Sequence, residues 1–178
     1  MDRNKIIKLQ ALVRGYLIRR RYYSLRPLTS DNAQQIIEYN DGSIYTGQVI
    51  NGNRHGYGQQ VWVDNARYIG YWKNNMANGR GKFYYVDGDV YDGEWYNDKA
   101  NGFGEYVKAN GSKYKGEWKD DEQCGEGVEI WPDGSKFVGT YANGAKNGKG
   151  TYYWNDGTKY EGNWKDNKIE GHVKLEFE

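Results

Sequence analysis

The sequence is poor in the residues that build ordinary cores, and it has little proline, cysteine or histidine. Its 178 residues include 2 prolines, 1 cysteine and 2 histidines. Leu, Ile, Val and Phe together number 30, about 17% of the chain, a fraction that is typical of disordered proteins when net charge is also large. The net charge is only +1, so the composition does not fit disorder. The scarcity of proline excludes a polyproline or collagen-like chain.

Other absences exclude whole classes of site. Cys124 is the only cysteine, so no intrachain disulfide can form and a reducing compartment is favoured. His55 and His172 have no second ligand at metal-site spacing, and we predict no metal site. No apolar run approaches the roughly 18 residues of a transmembrane helix, and the residues after Met1 do not resemble a secretion signal. We therefore expect a cytoplasmic protein.

What the chain has instead is glycine, aromatic residues and a divided charge. It contains 25 glycines, 18 Tyr, 7 Trp and 4 Phe, and 25 of these 29 aromatic residues lie from Tyr45 onward. Residues 1–26 carry a net charge of +7, whereas residues 27–178 carry −6. Such a division predicts two parts that meet different partners.

A 23-residue period runs through the chain from Tyr45. Each unit opens with an aromatic residue, followed by glycine at +2, usually Trp at +4, glycines at +11 and +13, and a turn signal near +20. The second of these paired glycines is replaced by Val173 in the last unit. The units open at Tyr45, Tyr68, Tyr91, Tyr114, Phe137 and Tyr160.

Each unit is predicted to be one β-hairpin. In the second unit, Tyr68, Gly70 and Trp72 alternate and so share one face of a strand. Residues 73–78 form the expected connection, residues 79–85 the second strand, and Asp87-Gly88 the turn into the next unit. Because glycines share a face with Tyr and Trp, we expect aromatic rings to lie over the bare glycine backbone of the neighbouring strand.

These residues carry a family resemblance. The segment Tyr91-Asp92-Gly93-Glu94-Trp95, with Gly102-Phe103-Gly104 after it, resembles the MORN repeat (membrane occupation and recognition nexus). The resemblance covers residues 39–178, with units starting at 45, 68, 91, 114, 137 and 160 and a half unit at 39–44. The predicted fold is all-β: successive 23-residue hairpins form an elongated, twisted antiparallel sheet. One amphipathic α-helix in residues 1–25 and a linker at 26–38 precede it.

The basic N-terminal segment has the pattern of a helix. Ile6, Leu9, Val13, Tyr16 and Leu17 recur at three-to-four spacing, with arginines on the rest of the surface. A basic amphipathic helix is typical of a membrane-surface element or a calmodulin target. Docking on the acidic surface of the array itself, or on another acidic partner, is also open. Nucleic acid is disfavoured, because residues 27–178 are acidic.

The spacing of Leu9-Gln10, Arg14-Gly15, Arg19 and Tyr22 resembles the IQ motif. This resemblance implies binding of a calmodulin-like EF-hand protein, often without calcium. In the family, the glutamine bonds partner backbone, the glycine permits close approach, the arginines meet acidic loops, and apolar residues are buried anchors. The residues to which these roles fall are Leu9, Gln10, Val13, Arg14, Gly15, Leu17, Arg19 and Tyr22.

No arrangement of residues predicts catalysis. The many carboxylates, such as Glu94 and Glu117, recur at equivalent positions of the units, as expected for a solvated face. No glycine segment has the lysine and helix of a phosphate-binding loop, and no nucleophile has a matching base. MORN arrays accompany catalytic domains in lipid kinases and lysine methyltransferases, but we expect no such domain in a chain that ends at Glu178. We predict a protein that is not an enzyme and has no cofactor.

We therefore predict an adaptor whose array binds other subunits of a multiprotein assembly and whose helix recruits the calmodulin-like protein. The resemblance to MORN proteins of junctions, cytoskeletal scaffolds and axonemes favours a motile cilium, for example a radial spoke. The alternative is a peripheral membrane or phosphoinositide binder, although the lysines of the last units are interleaved with acids. The aromatic face expected to bind partners consists of Tyr68, Trp72, Tyr91, Trp95, Tyr114, Trp118, Tyr141 and Trp164.

Overall fold

The described part of the chain forms one long antiparallel sheet. The structure is a computed structural model that describes residues 34–171 and 175–176. Neighbouring strands follow their order along the chain from β1 to β13, and β14 pairs with β12. The strands are β1 Gln34–Glu38, β2 Ile44–Ile50, β3 Asn53–Val61, β4 Arg67–Lys73, β5 Met76–Tyr84, β6 Val90–Tyr96, β7 Lys99–Val107, β8 Lys113–Lys119, β9 Glu122–Ile130, β10 Lys136–Ala142, β11 Ala145–Tyr153, β12 Lys159–Lys165, β13 Lys168–Glu170 and β14 Leu175–Glu176.

This architecture confirms the predicted all-β array of successive hairpins. The predicted N-terminal helix lies outside the described residues, and within residues 34–171 and 175–176 the structure contains no helix. Each hairpin pairs with the next, so the array lengthens strand by strand, and the described strands form one sheet.

The turn inside each hairpin is shorter than the sequence predicts. Strand β5 begins at Met76, so only Asn74-Asn75 remains as a turn, and the predicted connection at residues 73–78 is wrong. Both turn residues have positive φ, 50° and 65°, which is the signature of a type I′ turn. Asn tolerates this left-handed backbone, and two residues therefore suffice to reverse the chain.

The turn between hairpins is the predicted one. In the loop from Tyr85 to Asp89, the Tyr85 N–H donates to the Asp89 carbonyl at 2.9 Å and the Gly88 N–H to the Tyr85 carbonyl at 3.1 Å. Gly88 has φ 89°, a conformation that glycine adopts without steric cost. The Asp87 carboxylate accepts from the Asp89 N–H at 3.3 Å, which fixes the loop locally.

The paired glycines of each unit have two different roles. Gly102 has φ 101° and lies where the register of β6 and β7 shifts by a bulge between Gly93 and Trp95. Gly104 lies beneath the Tyr91 ring, and a Cβ added there would come within 2.7 Å of Tyr91 Cζ. The prediction that aromatic rings cover bare glycine backbone is therefore confirmed.

Strand β1 is the second strand of a unit that precedes the first complete one. It comprises the last five residues of the segment that we expected to be a linker, residues 26–38. Ile37 lies opposite Tyr45 and Gln35 opposite Gly47, the same register that joins β5 to β6. The half unit therefore extends back from residue 39 at least to Gln34.

Adjacent hairpins are also joined through their turns. The Asp98 N–H donates to the Ala77 carbonyl at 3.1 Å, and the Ala77 N–H donates back to the Asp98 carboxylate at 2.9 Å. Such a reciprocal pair fixes the turn of one hairpin to the second strand of the hairpin before it. The residues whose side chains complete this contact are Asn75, Asp98, Asp121 and Asn167.

Gly144 occupies the equivalent position without the side chain, and Gly144→Asp is expected to give a more stable array than Gly144→Ala. Its N–H donates to the Gln123 carbonyl at 3.0 Å, its φ is 76°, and a Cβ there would meet no atom within 4 Å. An aspartate can accept from the Gln123 N–H, a hydrogen bond worth about 1 kcal/mol. Because both variants carry the strain of a side chain at φ 76°, Gly144→Asp should melt about 2–4 °C above Gly144→Ala, measurable by thermal unfolding. Gly144→Ala is the control, and equal effects of the two substitutions would contradict the account.

Candidate partner-binding surfaces

The aromatic residues pack into a continuous column along one face of the sheet. The Tyr91 ring meets Trp95 of its own unit edge-on at 5.0 Å between centroids, and Trp118 of the next unit at 5.2 Å. Such edge-to-face pairs contribute about 0.5–1.5 kcal/mol beyond area burial. The pattern repeats from Tyr45 to Trp164, so each unit buries its aromatic residues against the next.

The face that we expected to bind partners is this core. The eight predicted side chains range from 0% exposed at Tyr68 to 7% exposed at Trp164. A partner cannot reach them while the array is folded, and their predicted role as a contact surface is corrected to that of the hydrophobic core. The eight are Tyr68, Trp72, Tyr91, Trp95, Tyr114, Trp118, Tyr141 and Trp164.

Several polar atoms of this core bond to the backbone. The Trp118 indole N–H donates to the Gly104 carbonyl at 3.2 Å, and the Tyr91 hydroxyl donates to the Glu94 carbonyl at 3.1 Å. Burial raises the pKa of Tyr91 well above its usual value, and the negative charges of Asp121 and Glu94 raise it further. The pKa of Tyr141 is raised by burial first and then by Glu129.

Raised tyrosine pKa values predict that the array loses stability at alkaline pH. An unfolded tyrosine ionises near pH 10, whereas folding holds these phenols neutral. Their contribution is complete below about pH 10 and is lost as pH rises above it. Urea midpoints should therefore be level near pH 8 and fall by about pH 11. If the tyrosinate absorbance showed that all tyrosines had ionised at that pH while the protein stayed folded, the core tyrosines would not be buried as described.

An ion pair lies inside the aromatic core of the last units. Lys146 Nζ lies 2.6 Å from Glu129 Oε2, with side-chain exposures of 11% and 17%. The ammonium lies 4.9 Å from the Trp131 ring centroid and 5.7 Å from that of Tyr141, whose hydroxyl donates to Glu129 at 3.3 Å. This pair was not predicted from the sequence. One signal was available: Lys146 stands at the position that Ala100 has two units earlier, and an apolar residue at that position indicates a side chain that faces the core.

The opposite side of the sheet, which we call the polar face, carries two exposed aromatic residues in the part of the chain that the structure describes. Tyr96 is 59% exposed and Phe103 is 47% exposed. They lie on the adjacent strands β6 and β7, and Phe103 is directly opposite Glu117 of β8. Exposed aromatic residues are enriched where proteins bind proteins. Sequence reasoning missed them because Phe103 lies between the paired glycines.

Three lysines align across the strands of the last units on the polar face. Lys113 lies opposite Ile130, which lies opposite Lys136, and Lys136 lies opposite Tyr153, which neighbours Lys159. The Lys136 ammonium lies 4.3 Å from the Tyr153 ring centroid. We call this row the lysine row.

An open groove of about 460 Å³ crosses the polar face over the last units, lined by residues such as Glu126, Lys149, Thr151 and Asn163. Within residues 34–171, no cluster of three or more His, Cys, Asp or Glu side chains could hold a metal ion. The described residues contain no helix long and apolar enough to cross a bilayer.

The eight residues predicted to bind a calmodulin-like protein lie outside the described residues. They fall in residues 9–22, so the structure gives no geometry for them.

Comparison with known families finds two matches. The MORN repeat model matches residues 45–67, 68–90, 91–113, 114–136, 137–159 and 160–172, ranges that begin at the aromatic residues opening each period. The IQ calmodulin-binding motif model matches residues 3–23. Both resemblances seen in the sequence are thereby confirmed. No curated protein matches significantly.

The solved structures that the chain matches are distant from it. The TCP domain of Drosophila melanogaster SAS-4, solved with a proline-rich motif of Ana2, has a TM-score of 0.43 at 13% identity, over 86% of this chain and 96% of that one. The TCP10 domain of Danio rerio CPAP has a TM-score of 0.25 at 10% identity, over 85% of this chain and 94% of that one.

Proposed function

Because this chain belongs to the MORN repeat family, we propose that it is a scaffold subunit of a multiprotein assembly, with two separate binding modules. The array contacts partner proteins, and the N-terminal IQ segment recruits a calmodulin-like EF-hand protein. MORN and IQ motifs are non-catalytic interaction motifs, so the proposed function is not enzymatic. One observation carries the proposal. The same chain contains a long sheet that buries its own core and, outside that sheet, an IQ motif.

The polar face around Tyr96 and Phe103 is the proposed contact surface of the array. The aromatic core is inaccessible, whereas these two side chains offer apolar area to a partner. Buried aromatic anchors supply much of the binding energy of protein interfaces. Arg80, opposite Glu94 on the neighbouring strand, and Glu117, opposite Phe103, would form a charged rim around these anchors.

The N-terminal segment is the proposed site of the calmodulin-like partner. Residues 1–26 carry a net charge of +7, which suits the acidic surface of an EF-hand protein. Leu9, Val13, Leu17 and Tyr22 are the proposed buried anchors. The polar roles fall to Gln10, Gly15, Arg14 and Arg19.

The proposed setting is the cytoplasm, in a ciliary axoneme such as a radial spoke, or in another cytoskeletal assembly. This part of the proposal is supported by the family resemblance alone. A tagged intact chain expressed in ciliated cells should localise along the axoneme. A diffuse cytosolic distribution that excludes the axoneme would overturn the ciliary setting while leaving the scaffold function standing.

Affinity capture with three forms of the intact chain tests the two modules. Leu9→Asp/Arg14→Glu is expected to lose calmodulin-family proteins at least about 10-fold, the equivalent of 1.4 kcal/mol, because it places charge among the anchors. It should retain the partners of the array. Tyr96→Asp/Phe103→Asp is expected to lose the partners of the array and to retain calmodulin-family proteins. Quantitative mass spectrometry measures both losses. Absence of calmodulin-family proteins with the unmodified chain, in calcium-free and calcium-containing buffer alike, would overturn the IQ assignment.

A second candidate function is binding to an anionic membrane surface, and the lysine row favours it. Lysines at the positions of Lys113, Lys136 and Lys159 can attract lipid headgroups while Ile130 and Tyr153 meet the interface. Flotation with phosphoinositide-containing vesicles tests this function in the intact chain. Strong salt-sensitive binding that is lost in a Lys113→Glu/Lys136→Glu variant would establish membrane binding through the lysine row. Equal flotation of variant and parent would exclude the lysine row as the lipid-binding site.

A further inference from the structure

The sheet ends at β1 with an open edge. Among the described residues, β1 pairs only with β2, so the backbone groups on its other side have no strand partner within residues 34–171. Ile36 of this strand is 76% exposed. An exposed edge strand is a template for another strand, and native proteins usually cover it.

The position of β1 in its unit says which strand is missing. Its register with β2 is the register of β5 with β6, so β1 is the second strand of a hairpin. Counting back 23 residues from Tyr45, the first strand of that hairpin opens at Tyr22. Tyr22 is the aromatic residue that the period requires at this place.

Transferring the register of β2 and β3 back by one period gives the pairing residue by residue. Arg21 would lie opposite Glu38, Tyr22 opposite Ile37, and Tyr23 opposite Ile36. This register places opposite charges together and covers the exposed isoleucine with an aromatic ring. Cross-strand pairs of both kinds are stabilising.

We propose that residues 21–24 add to the edge of β1 as the first strand of a degenerate unit, and that this pairing competes with the calmodulin-like partner for Tyr22. The competition rests on the proposed function, because the IQ match covers residues 3–23 and so shares Arg21, Tyr22 and Tyr23 with the added strand. One segment cannot be a bound helix and an edge strand at once.

The degenerate unit lacks the glycines that hold the aromatic ring in complete units, so its first strand is expected to be displaced more easily. In complete units the aromatic ring lies over two glycines, and a Cβ at Gly58 would come within 2.6 Å of a carbon of the Tyr45 ring. The equivalent positions in the degenerate unit are Ser24 and Gln35. In the proposed register their side chains would take up the space of the ring, so Tyr22 would pack less deeply than Tyr45 and the added strand would be held more weakly than its counterparts.

Disulfide trapping in the full chain tests the pairing. Tyr23→Cys/Ile36→Cys, in a Cys124→Ser background, joins two residues that the register places directly opposite. The control Tyr23→Cys/Ile37→Cys pairs residues that face opposite sides of the sheet, where a disulfide cannot form without backbone movement. Under mild oxidation we expect the first pair to form an intramolecular disulfide at least about 10-fold faster than the control, in line with this geometric requirement.

Purified calmodulin then tests the competition. Prior addition of calmodulin should slow trapping of the first pair by at least about 10-fold, the equivalent of 1.4 kcal/mol. Equal trapping rates for the two pairs, or disulfides that join two chains, would overturn the in-chain strand. If calmodulin binds without slowing the trap, the competition is overturned. If trapping is fast but calmodulin does not bind, the proposed function fails while the strand pairing stands.

Discussion

Gly104→Ala is expected to destabilise the array by about 2–3 kcal/mol, the cost of overpacking a full core. The new Cβ would come within 2.7 Å of Tyr91 Cζ and within 2.8 Å of Cε2 of the same ring. Tyr91 is 1% exposed and wedged between Trp95 and Trp118, so the ring has no space into which it can move. Urea unfolding of the intact chain measures the change.

A double-mutant cycle shows whether the clash is with Tyr91. Tyr91→Ala alone should cost about 3–5 kcal/mol. In that background Gly104→Ala should cost almost nothing, which gives a coupling energy of about 2 kcal/mol. Glu105→Ala is the neighbouring control on the polar face and should lie within about 0.5 kcal/mol of the parent. An additive cycle would mean that glycine is needed here for backbone reasons and not to receive the ring.

Removing one member of the buried ion pair should have an effect of similar size. Glu129→Ala leaves the Lys146 ammonium, 9% exposed as a residue, without its carboxylate at 2.6 Å. Breaking a buried pair in this way costs about 3–5 kcal/mol. Thermal and urea unfolding of the intact chain should show the loss.

Replacing both members should restore stability, because another part of the array has apolar residues at the two equivalent positions. Ala100 and Phe83 stand at the equivalent positions, and both are at most 1% exposed. Lys146→Ala/Glu129→Phe copies them, and exchanging a buried pair for apolar residues is often neutral or stabilising. A double variant less stable than Glu129→Ala would show that the pair itself stabilises the core.

The fold could be predicted from the sequence because two signals agree: the alternation of residues within each strand and the repetition of that pattern along the chain. The alternation of Tyr68, Gly70 and Trp72 predicts a strand face, and the recurrence of the same pattern after 23 residues predicts that hairpins add edge to edge. The glycines beneath the rings followed from the same reasoning, since a face shared by Tyr and Gly leaves room for the ring only over the glycine.

The contact surface could not be predicted in the same way. Alternation shows that Tyr91 and Trp95 share a face, but it does not show whether another element covers that face. Here the covering group is the next unit itself, since Tyr91 packs on Trp118, 27 residues further along. The exposure of Phe103 could not be predicted from the sequence, because its two neighbours, Gly102 and Gly104, fit the pattern of the core.

The two-residue turns were also missed for a physical reason. The polar side chains of Asn74 and Asn75 predict a longer polar connection between the strands. The structure uses them for their backbone, with φ of 50° and 65°. Aspartate and asparagine serve equally in this role, so composition alone does not mark where the strand resumes.

The central claim is that one chain joins a self-contained array to a separate calmodulin-binding segment. Titration calorimetry of the intact chain with purified calmodulin, with and without calcium, tests it most directly. The account predicts saturable binding of one calmodulin per chain in at least one buffer, weakened at least about 10-fold (1.4 kcal/mol) by Leu9→Asp/Arg14→Glu and unchanged by Tyr96→Asp/Phe103→Asp. Binding lost in the array variant but retained in the helix variant would contradict it.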